Sequence, residues 1–335
     1  MTATRFLQSY SFNPLPPLLS SGDEALVYFV RRDLLGEDPG PVEFLWTLPG
    51  VQKLLKKQLA DGSWPRSGEL KHPAINYRLV ETWRNLRYLV EVYGCSRQHP
   101  GTQSAAEYIF SCQSEEGDIR GIMADQYATY YTGAMLALLV QAGYADDPRV
   151  AKAFQWLLSM RQDDGGWSIP LITYRLDRAT QYRLTSQHAE PLQPDRTRPF
   201  VHYATGMILR AFAAHPVHRT SEAARRAADL LKSRFFQPDS TTSLQAASYW
   251  VRFEYPFWWN HLVAALDSLS RMDYPASDVQ IQSALRWLIE HQEASGLWRV
   301  SYVKPDEREK ETKKVQDMKR WITLAICRVF TRFYS

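Results

Sequence analysis

Acid–base and aromatic side chains stand just before three apolar segments of this 335-residue chain. The acid–base candidates are Asp125, His202 and His261, because a buried carboxyl can act as a general acid and a histidine as an acid or a base. The aromatic side chains predicted to bind a substrate are Trp83, Tyr127, Tyr130, Tyr131, Tyr203, Trp258 and Trp259. If the starts of these segments converge, the combination suits a ligand with an apolar body and few polar groups.

Each candidate also has a purely structural interpretation. Asp125 is a suitable N-cap, and a histidine more often caps a helix or fills a core than takes part in chemistry. Trp258 and Trp259 are adjacent, so they cannot both face one side of a helix. Core packing by itself accounts for most of the 11 Trp, 18 Tyr and 14 Phe. The functional and structural interpretations therefore stay open at this point.

The elements that carry these residues repeat along the chain. Asp147 and Pro148 are a natural N-cap and first helical residue, apolar residues then recur at helical spacing, and DDGG (163–166) supplies a turn before Trp167. Related turns begin at Gln58 (QLADGSW), Gln113 (QSEEGDI), Gln162 (QDDGGW) and Gln292 (QEASGLW), with a weaker copy at Gln237. One such unit buries little apolar surface, so the recurrence predicts helical hairpins that pack on one another.

The two helices of each predicted hairpin differ in character. The first has a charged side, whereas the second is apolar nearly all round and must be buried on all sides. The predicted outer helices are 50–57, 102–113, 148–161, 220–235 and 278–291, and the predicted inner helices are 78–93, 125–142, 200–214, 256–271 and 316–334. With a further helix at 22–36, the pattern predicts an all-α protein, an α/α toroid of about six hairpins in two concentric rings. An open solenoid is the geometric alternative.

The predicted domain organisation is simple. We expect residues 1–45 to form a lead-in with a capping helix, and residues 46–335 to form a single toroid domain. A polar insertion at about 168–200 interrupts it. We expect this insertion to be a surface loop, or a lid whose Arg175, Arg178 or Arg183 binds an anionic group such as a diphosphate.

Composition excludes several classes of protein. The formal net charge is +4 and is spread along the chain, which argues against nucleic-acid binding. Three cysteines without CxxC spacing fit a reducing compartment better than a disulfide scaffold. The sequence shows neither a signal peptide nor an apolar run long enough to span a membrane, so we expect a cytoplasmic protein. Peripheral membrane contact and the oligomeric state stay open, and no metal or cofactor is predicted.

The glutamine-led turns resemble a motif of a known superfamily. QLADGSW, QDDGGW and QEASGLW are similar to the glutamine–tryptophan motif of squalene cyclases and to related turns of protein prenyltransferase β subunits, which are α/α barrels. The resemblance covers about residues 45 to 335, and three of the five turns carry the tryptophan. It implies a terpenoid cyclase or prenyltransferase-like protein that takes an isoprenoid or a similarly apolar substrate.

Two catalytic signatures of these families are absent from the sequence. Squalene cyclases protonate their substrate with the central acid of a DxDD motif, and prenyltransferases hold zinc with an Asp-x-Cys pair and a distant histidine; neither motif occurs here. We therefore predict an isoprenoid-binding protein without either motif. A non-catalytic toroid that binds a lipid or a protein is one alternative. A sugar-active α/α barrel is another, with Asp125 and either Glu254 or Asp267 as its two carboxylates.

Overall fold

The computed structural model describes residues 5–239, 246–301 and 310–334. The regular secondary structure of this part of the chain consists of helices and one short strand, joined by turns and loops. In chain order the elements are α1 (Leu15–Leu19), α2 (Glu24–Val30), α3 (Pro49–Leu55), α4 (Tyr77–Arg87), α5 (Pro100–Ser111), β1 (Ile122–Asp125), α6 (Thr129–Leu139), α7 (Pro148–Ser159), α8 (Arg178–Ser186), α9 (His202–Ala214), α10 (Glu222–Lys232), α11 (Leu262–Arg271), α12 (Val279–Glu290) and α13 (Lys313–Tyr334). A π turn, Tyr88–Val92, continues α4. The all-α class predicted from the sequence is confirmed.

The chain divides into two compact units. The central unit comprises Val42–Leu231 and Asp239–Gln245, and the terminal unit comprises Met1–Pro41, Lys232–Pro238 and Ala246–Ser335. Each unit contains the alternation of half-exposed and buried helices that the sequence predicts. In the central unit α6 is buried at every position, because its eleven residues include no charged side chain.

The glutamine-led turns share one set of hydrogen bonds. In three of them the indole N–H of the tryptophan donates to a carbonyl near the end of the preceding outer helix, and its backbone N–H donates to a threonine hydroxyl on the following buried helix. The sets are Trp64 with Leu54 and Thr82, Trp167 with Leu157 and Thr205, and Trp298 with Leu288 and Thr323. Each of these turns therefore joins the two helices of its own hairpin by hydrogen bonds.

The same turns also join one hairpin to the next. The side-chain amide of Gln58 donates to the carbonyl of Gly62 in its own turn, at 3.0 Å, and to that of Gly101 in the first turn of α5, at 2.8 Å. Gly62 has a φ of +85°, and a Cβ atom there would lie 2.0 Å from the carbonyl oxygen of Ser104 in α5. Glycine is required at this position by both the backbone conformation and the close approach.

In the terminal unit the lead-in takes the place of a following outer helix. The Gln292 amide donates to the carbonyl of Phe12 at 2.8 Å and to that of Gly296 at 3.0 Å. A Cβ atom on Gly296 would lie 2.6 Å from the Asn13 carbonyl oxygen. The last turn thus docks on the beginning of the chain in the way that earlier turns dock on an outer helix.

Two predicted inner helices begin later than the sequence suggested. The helix predicted from 125 begins at Thr129, because the preceding residues are extended and Gly121 accepts a hydrogen bond from the Asn76 backbone N–H. The helix predicted from 256 begins at Leu262, and His261 is its N-cap. Part of the weak turn after Gln237, residues 240–245, lies outside the described residues.

The insertion is folded and is not an extended loop. It contains a 3₁₀ turn, Pro170–Thr173, and the helix α8. Among the described residues, no helix is long and apolar enough to cross a membrane.

Candidate functional site

Four aromatic side chains from three buried helices form a row in the central unit, which we call the aromatic row. Its members are Tyr203 on α9, Tyr130 and Tyr131 on α6, and Trp83 on α4. Neighbouring ring centroids lie 5.4 Å apart for Tyr203 and Tyr130, 4.4 Å for Tyr130 and Tyr131, and 5.1 Å for Tyr131 and Trp83. Each tyrosine keeps 8% of its surface exposed, whereas Leu138 on the same helix keeps none. The three tyrosines are therefore buried but not completely enclosed.

A glycine brings the helices of the row together. A Cβ atom on Gly133 of α6 would lie 2.6 Å from the Cα atom of Ile208 on α9. The two helices consequently approach more closely than larger side chains would allow, and their first turns meet. This contact puts Tyr130 of α6 against Tyr203 of α9.

The phenol of Tyr130 stays neutral. Its hydroxyl lies 3.4 Å from the Met123 sulfur, and burial raises the pKa of Tyr130 well above its usual value. A neutral buried phenol presents an aromatic face and is not a base near neutral pH.

A buried histidine–aspartate pair includes the residue that precedes Tyr203 in the chain. His202 is the first residue of α9, next to Tyr203, and its Nδ1 atom lies 3.3 Å from Oδ2 of Asp239. Both side chains are almost fully buried. Asp239 follows Gln237 by two residues, as Asp164 follows Gln162. Sequence reasoning identified His202 and missed Asp239, although this shared spacing from the turn glutamine was a usable signal.

Asp125 holds the insertion and is not the desolvated acid that the general-acid hypothesis requires. Its carboxylate accepts a hydrogen bond from the Ala189 N–H at 3.0 Å and lies 3.1 Å from Nδ1 of His188. The Asp125 side chain is 37% exposed, and the N-cap of α6 is Ala128. The buried Gln126 binds the same segment, because its side chain bonds to the backbone of Glu190 and neighbouring residues.

Tyr127 also belongs to this contact with the insertion and not to the aromatic row. Its hydroxyl donates to Glu116 at 2.8 Å and accepts from the Gln193 amide at 3.0 Å, while Arg120 lies over its ring. Burial and the bond to Glu116 raise the pKa of Tyr127 to about 12. Arg178, at the start of α8, is exposed to solvent.

The remaining candidates lie in the terminal unit. His261 caps α11: Nδ1 accepts from the Ala264 N–H at 3.4 Å, and Nε2 lies 3.3 Å from the Glu254 carbonyl, to which it donates. Both ring nitrogens are used, which favours the neutral imidazole. Trp258 and Trp259 precede the helix, half-buried, with their rings 5.6 Å apart. The interpretation of His261 as a helix-capping histidine therefore accounts for its contacts.

Within the described residues, no cluster of three or more His, Cys, Asp or Glu side chains is placed to bind a metal ion. The candidate site consists of the aromatic row and the His202–Asp239 pair, which are linked through the successive residues His202 and Tyr203. Its chemistry is that of an apolar aromatic surface with one group that can exchange a proton.

Comparison with known proteins relates the chain to terpenoid cyclases. It is 33% identical over 97 residues to a probable squalene–hopene cyclase of Sinorhizobium fredii, a match covering 29% of this chain and 15% of that protein. It is 38% identical over 71 residues to the squalene–hopene cyclase of Bradyrhizobium diazoefficiens, covering 21% of this chain and 11% of that protein. The matched stretch is a small part of each relative. The superfamily relationship predicted from the turns is confirmed.

No protein-family model matches the chain. Among solved structures, a protein from Actinoplanes is 17% identical with a TM-score of 0.44, and the match covers 88% of each chain. The type II terpene cyclase MstE from Scytonema, solved in complex with geranylgeranyl dihydroxybenzoate, is 12% identical with a TM-score of 0.44, and the match covers 99% of this chain and 87% of that one.

Proposed function

We propose that this relative of the squalene–hopene cyclases is a terpene cyclase-like protein that binds an isoprenoid or a similarly apolar substrate along the aromatic row. The observation that carries the proposal is the row itself, four touching rings contributed by three consecutive buried helices. Aromatic faces attract apolar chains and also cations, so such a row suits both a polyene and the carbocations formed from it.

We further propose that His202 and Asp239 move the proton in this reaction. A cyclisation that begins with protonation gains one proton and loses one when the final alkene forms, so a single acid–base pair can supply and recover it. A carboxylate 3.3 Å from Nδ1 can orient the imidazole ring. Nε2 is then the atom that exchanges the proton with the substrate.

Ligand binding tests the role of the row. Geranylgeraniol is titrated into the protein and its affinity is read from the tryptophan fluorescence. In Tyr130→Ala we expect the dissociation constant to rise by about tenfold, because a buried ring contact is lost. Tyr182→Ala is the matched control, since Tyr182 is 59% exposed on the insertion and should leave binding unchanged. Equal affinities for the two variants would refute the proposed binding surface.

Product analysis tests the proton transfer. Polyprenyl substrates are incubated with the protein, and cyclic products are identified by gas chromatography and mass spectrometry. His202→Gln should abolish turnover and leave geranylgeraniol binding intact. Unchanged turnover would refute the assignment of His202. Binding without turnover in the unaltered protein would instead favour the non-catalytic alternative.

A further inference from the structure

The glutamine-led turn that precedes the insertion contacts the residues just before His202. Oδ2 of Asp164 accepts a hydrogen bond from the backbone N–H of Phe200 at 2.7 Å, and the carbonyl of Trp167 accepts one from the backbone N–H of Val201 at 2.9 Å. His202 follows directly as the first residue of α9. Two consecutive N–H groups immediately before His202 are therefore bound to one turn.

These bonds hold the start of a helix whose own cap is apolar. An N-cap side chain normally binds free N–H groups of the first turn and thereby fixes the start of a helix, as Asn76 does for α4. The N-cap of α9 is Val201, a residue whose side chain has no hydrogen-bonding group. The position of the first turn of α9, which carries His202, therefore depends on the bonds of Phe200 and Val201 to the turn.

The carboxylate of Asp164 differs from its counterpart in another turn. Asp61 and Asp164 each stand three residues before the tryptophan of their turn, and each bonds through Oδ1 to the N–H two residues further on, at 3.0 and 2.9 Å. Oδ2 of Asp61 lies 3.3 Å from Nη1 of the exposed Arg78. Oδ2 of Asp164 instead accepts from the backbone of Phe200. The bond to an inner helix start is thus a separate property of Asp164.

The same turn also packs closely against Phe200. A Cβ atom on Gly166 would lie 2.4 Å from the Cβ atom of Phe200, too close for a side chain to be accommodated without displacement. Ser63 and Leu297 occupy the equivalent position, directly before the tryptophan, in two other turns. The close contact and the hydrogen bond of Asp164 therefore fix the same residue.

We propose that Asp164 is a positioning residue that orients His202 through the backbone of Phe200. The inference rests on the proposed function, in which Nε2 of His202 exchanges a proton with the substrate. Asp239 contacts the ring at Nδ1, 3.3 Å away, whereas Asp164 fixes the backbone that leads into the residue. Proton transfer requires the two atoms to lie within hydrogen-bond distance, so a small displacement of the ring lowers the rate.

Matched variants test the positioning role. Asp164→Asn leaves one acceptor oxygen for two backbone N–H groups and keeps the shape of the side chain. Asp61→Asn makes the same change in a turn where the second oxygen faces an exposed arginine. With a polyprenyl substrate that the unaltered protein cyclises, we expect Asp164→Asn to lower kcat by about tenfold and to leave KM within about twofold. Asp61→Asn should leave both constants unchanged.

A second measurement does not depend on turnover. Isotope-labelled histidine gives a nuclear magnetic resonance signal for the ring of His202, which is identified by its loss in His202→Gln. We expect this signal to shift or broaden in Asp164→Asn and to stay unchanged in Asp61→Asn. Geranylgeraniol binding by Asp164→Asn should stay within about twofold of that of the unaltered protein, which shows that the variant is folded.

The outcomes separate this inference from the proposed function. If Asp164→Asn turns over substrate normally, the positioning role is refuted and the proposed function stands. A lower rate with an unshifted His202 signal would also refute it, since Asp164 would then act through another group. Equal losses in Asp61→Asn, or a KM that rises as kcat falls, would assign Asp164 to general support of the fold. If the unaltered protein has no turnover, the proposed function fails, and the His202 signal still decides whether Asp164 orients the ring.

Discussion

The close approach of Gly62 to α5 gives a quantitative test of how neighbouring hairpins are joined. The perturbation is Gly62→Ala, which places a Cβ atom 2.0 Å from the carbonyl oxygen of Ser104 and 2.4 Å from its carbonyl carbon. These backbone atoms belong to a helix and cannot rotate away. The central unit contains the matched control: Gly68 has a φ of +91°, close to the +85° of Gly62, but a Cβ atom there meets nothing within 4 Å.

The comparison separates two costs. An alanine at positive φ costs about 1–2 kcal/mol at either position. The overlap at Gly62 adds about 1–3 kcal/mol more, as other overpacked sites do. We therefore expect Gly62→Ala to lower the free energy of unfolding by about 2–5 kcal/mol, and Gly68→Ala by about 1–2 kcal/mol.

Urea unfolding followed by circular dichroism measures both variants against the unaltered protein. The slope of the transition should be the same for all three proteins, so that a shift in midpoint reports stability. Equal losses for the two variants would refute the reasoning, since they would show that the turn after Gln58 does not lie against α5.

Three further predictions follow from single contacts. Thr205→Val removes the acceptor of the buried Trp167 N–H, a bond of 2.9 Å, and should cost about 1–3 kcal/mol in urea unfolding. Burial lowers the pKa values of His218 and His99 in the folded protein, and the nearby His215 lowers the pKa of His218 further. The unfolded chain therefore binds more protons than the folded protein does. The urea midpoint should be highest above about pH 6.5 and should fall as the pH drops through the lowered pKa values. A urea midpoint that rises as the pH is lowered from about 7 to about 5 would contradict this expected direction. His188→Ala removes the contact between His188 and Asp125 at 3.1 Å and should speed proteolytic cleavage near Ala189. An unchanged cleavage rate would show that the bonds from Asp125 and Gln126 to the backbone of the insertion are sufficient to keep it in place.

The sequence predicted the hairpins well because their pattern is local. The N-cap Asp147 with Pro148 at N1, and the helical spacing that follows, depend only on neighbouring residues, and α7 begins and ends close to its predicted bounds. The starts of α6 and α11 were less predictable. They depend on extended segments that are set by contacts elsewhere, such as the bond from the Asn76 N–H to Gly121.

Candidate residues were identified by type, but their partners were not. The rings that the aromatic row brings to Trp83 come from residues about 50 and 120 positions further along the chain. Gly133 permits the close contact between α6 and α9. Asp239 pairs with a residue 37 positions earlier, across an outer helix. Asp125 has the residue type of an acid, but its exposure and its contacts with the insertion follow from tertiary packing.

The docking of the lead-in on the Gln292 turn bears on how the protein is made in the cell. Phe12 and Gln292 are separated by 280 positions and bond through two hydrogen bonds. During translation the lead-in leaves the ribosome well before the Gln292 turn and has no turn to bind until residue 292 has been synthesised. Helices α1 and α2 must therefore remain without that contact while the whole central unit, which ends at residue 245, is synthesised. Chaperones that shield apolar segments on nascent chains would act on the lead-in during this interval.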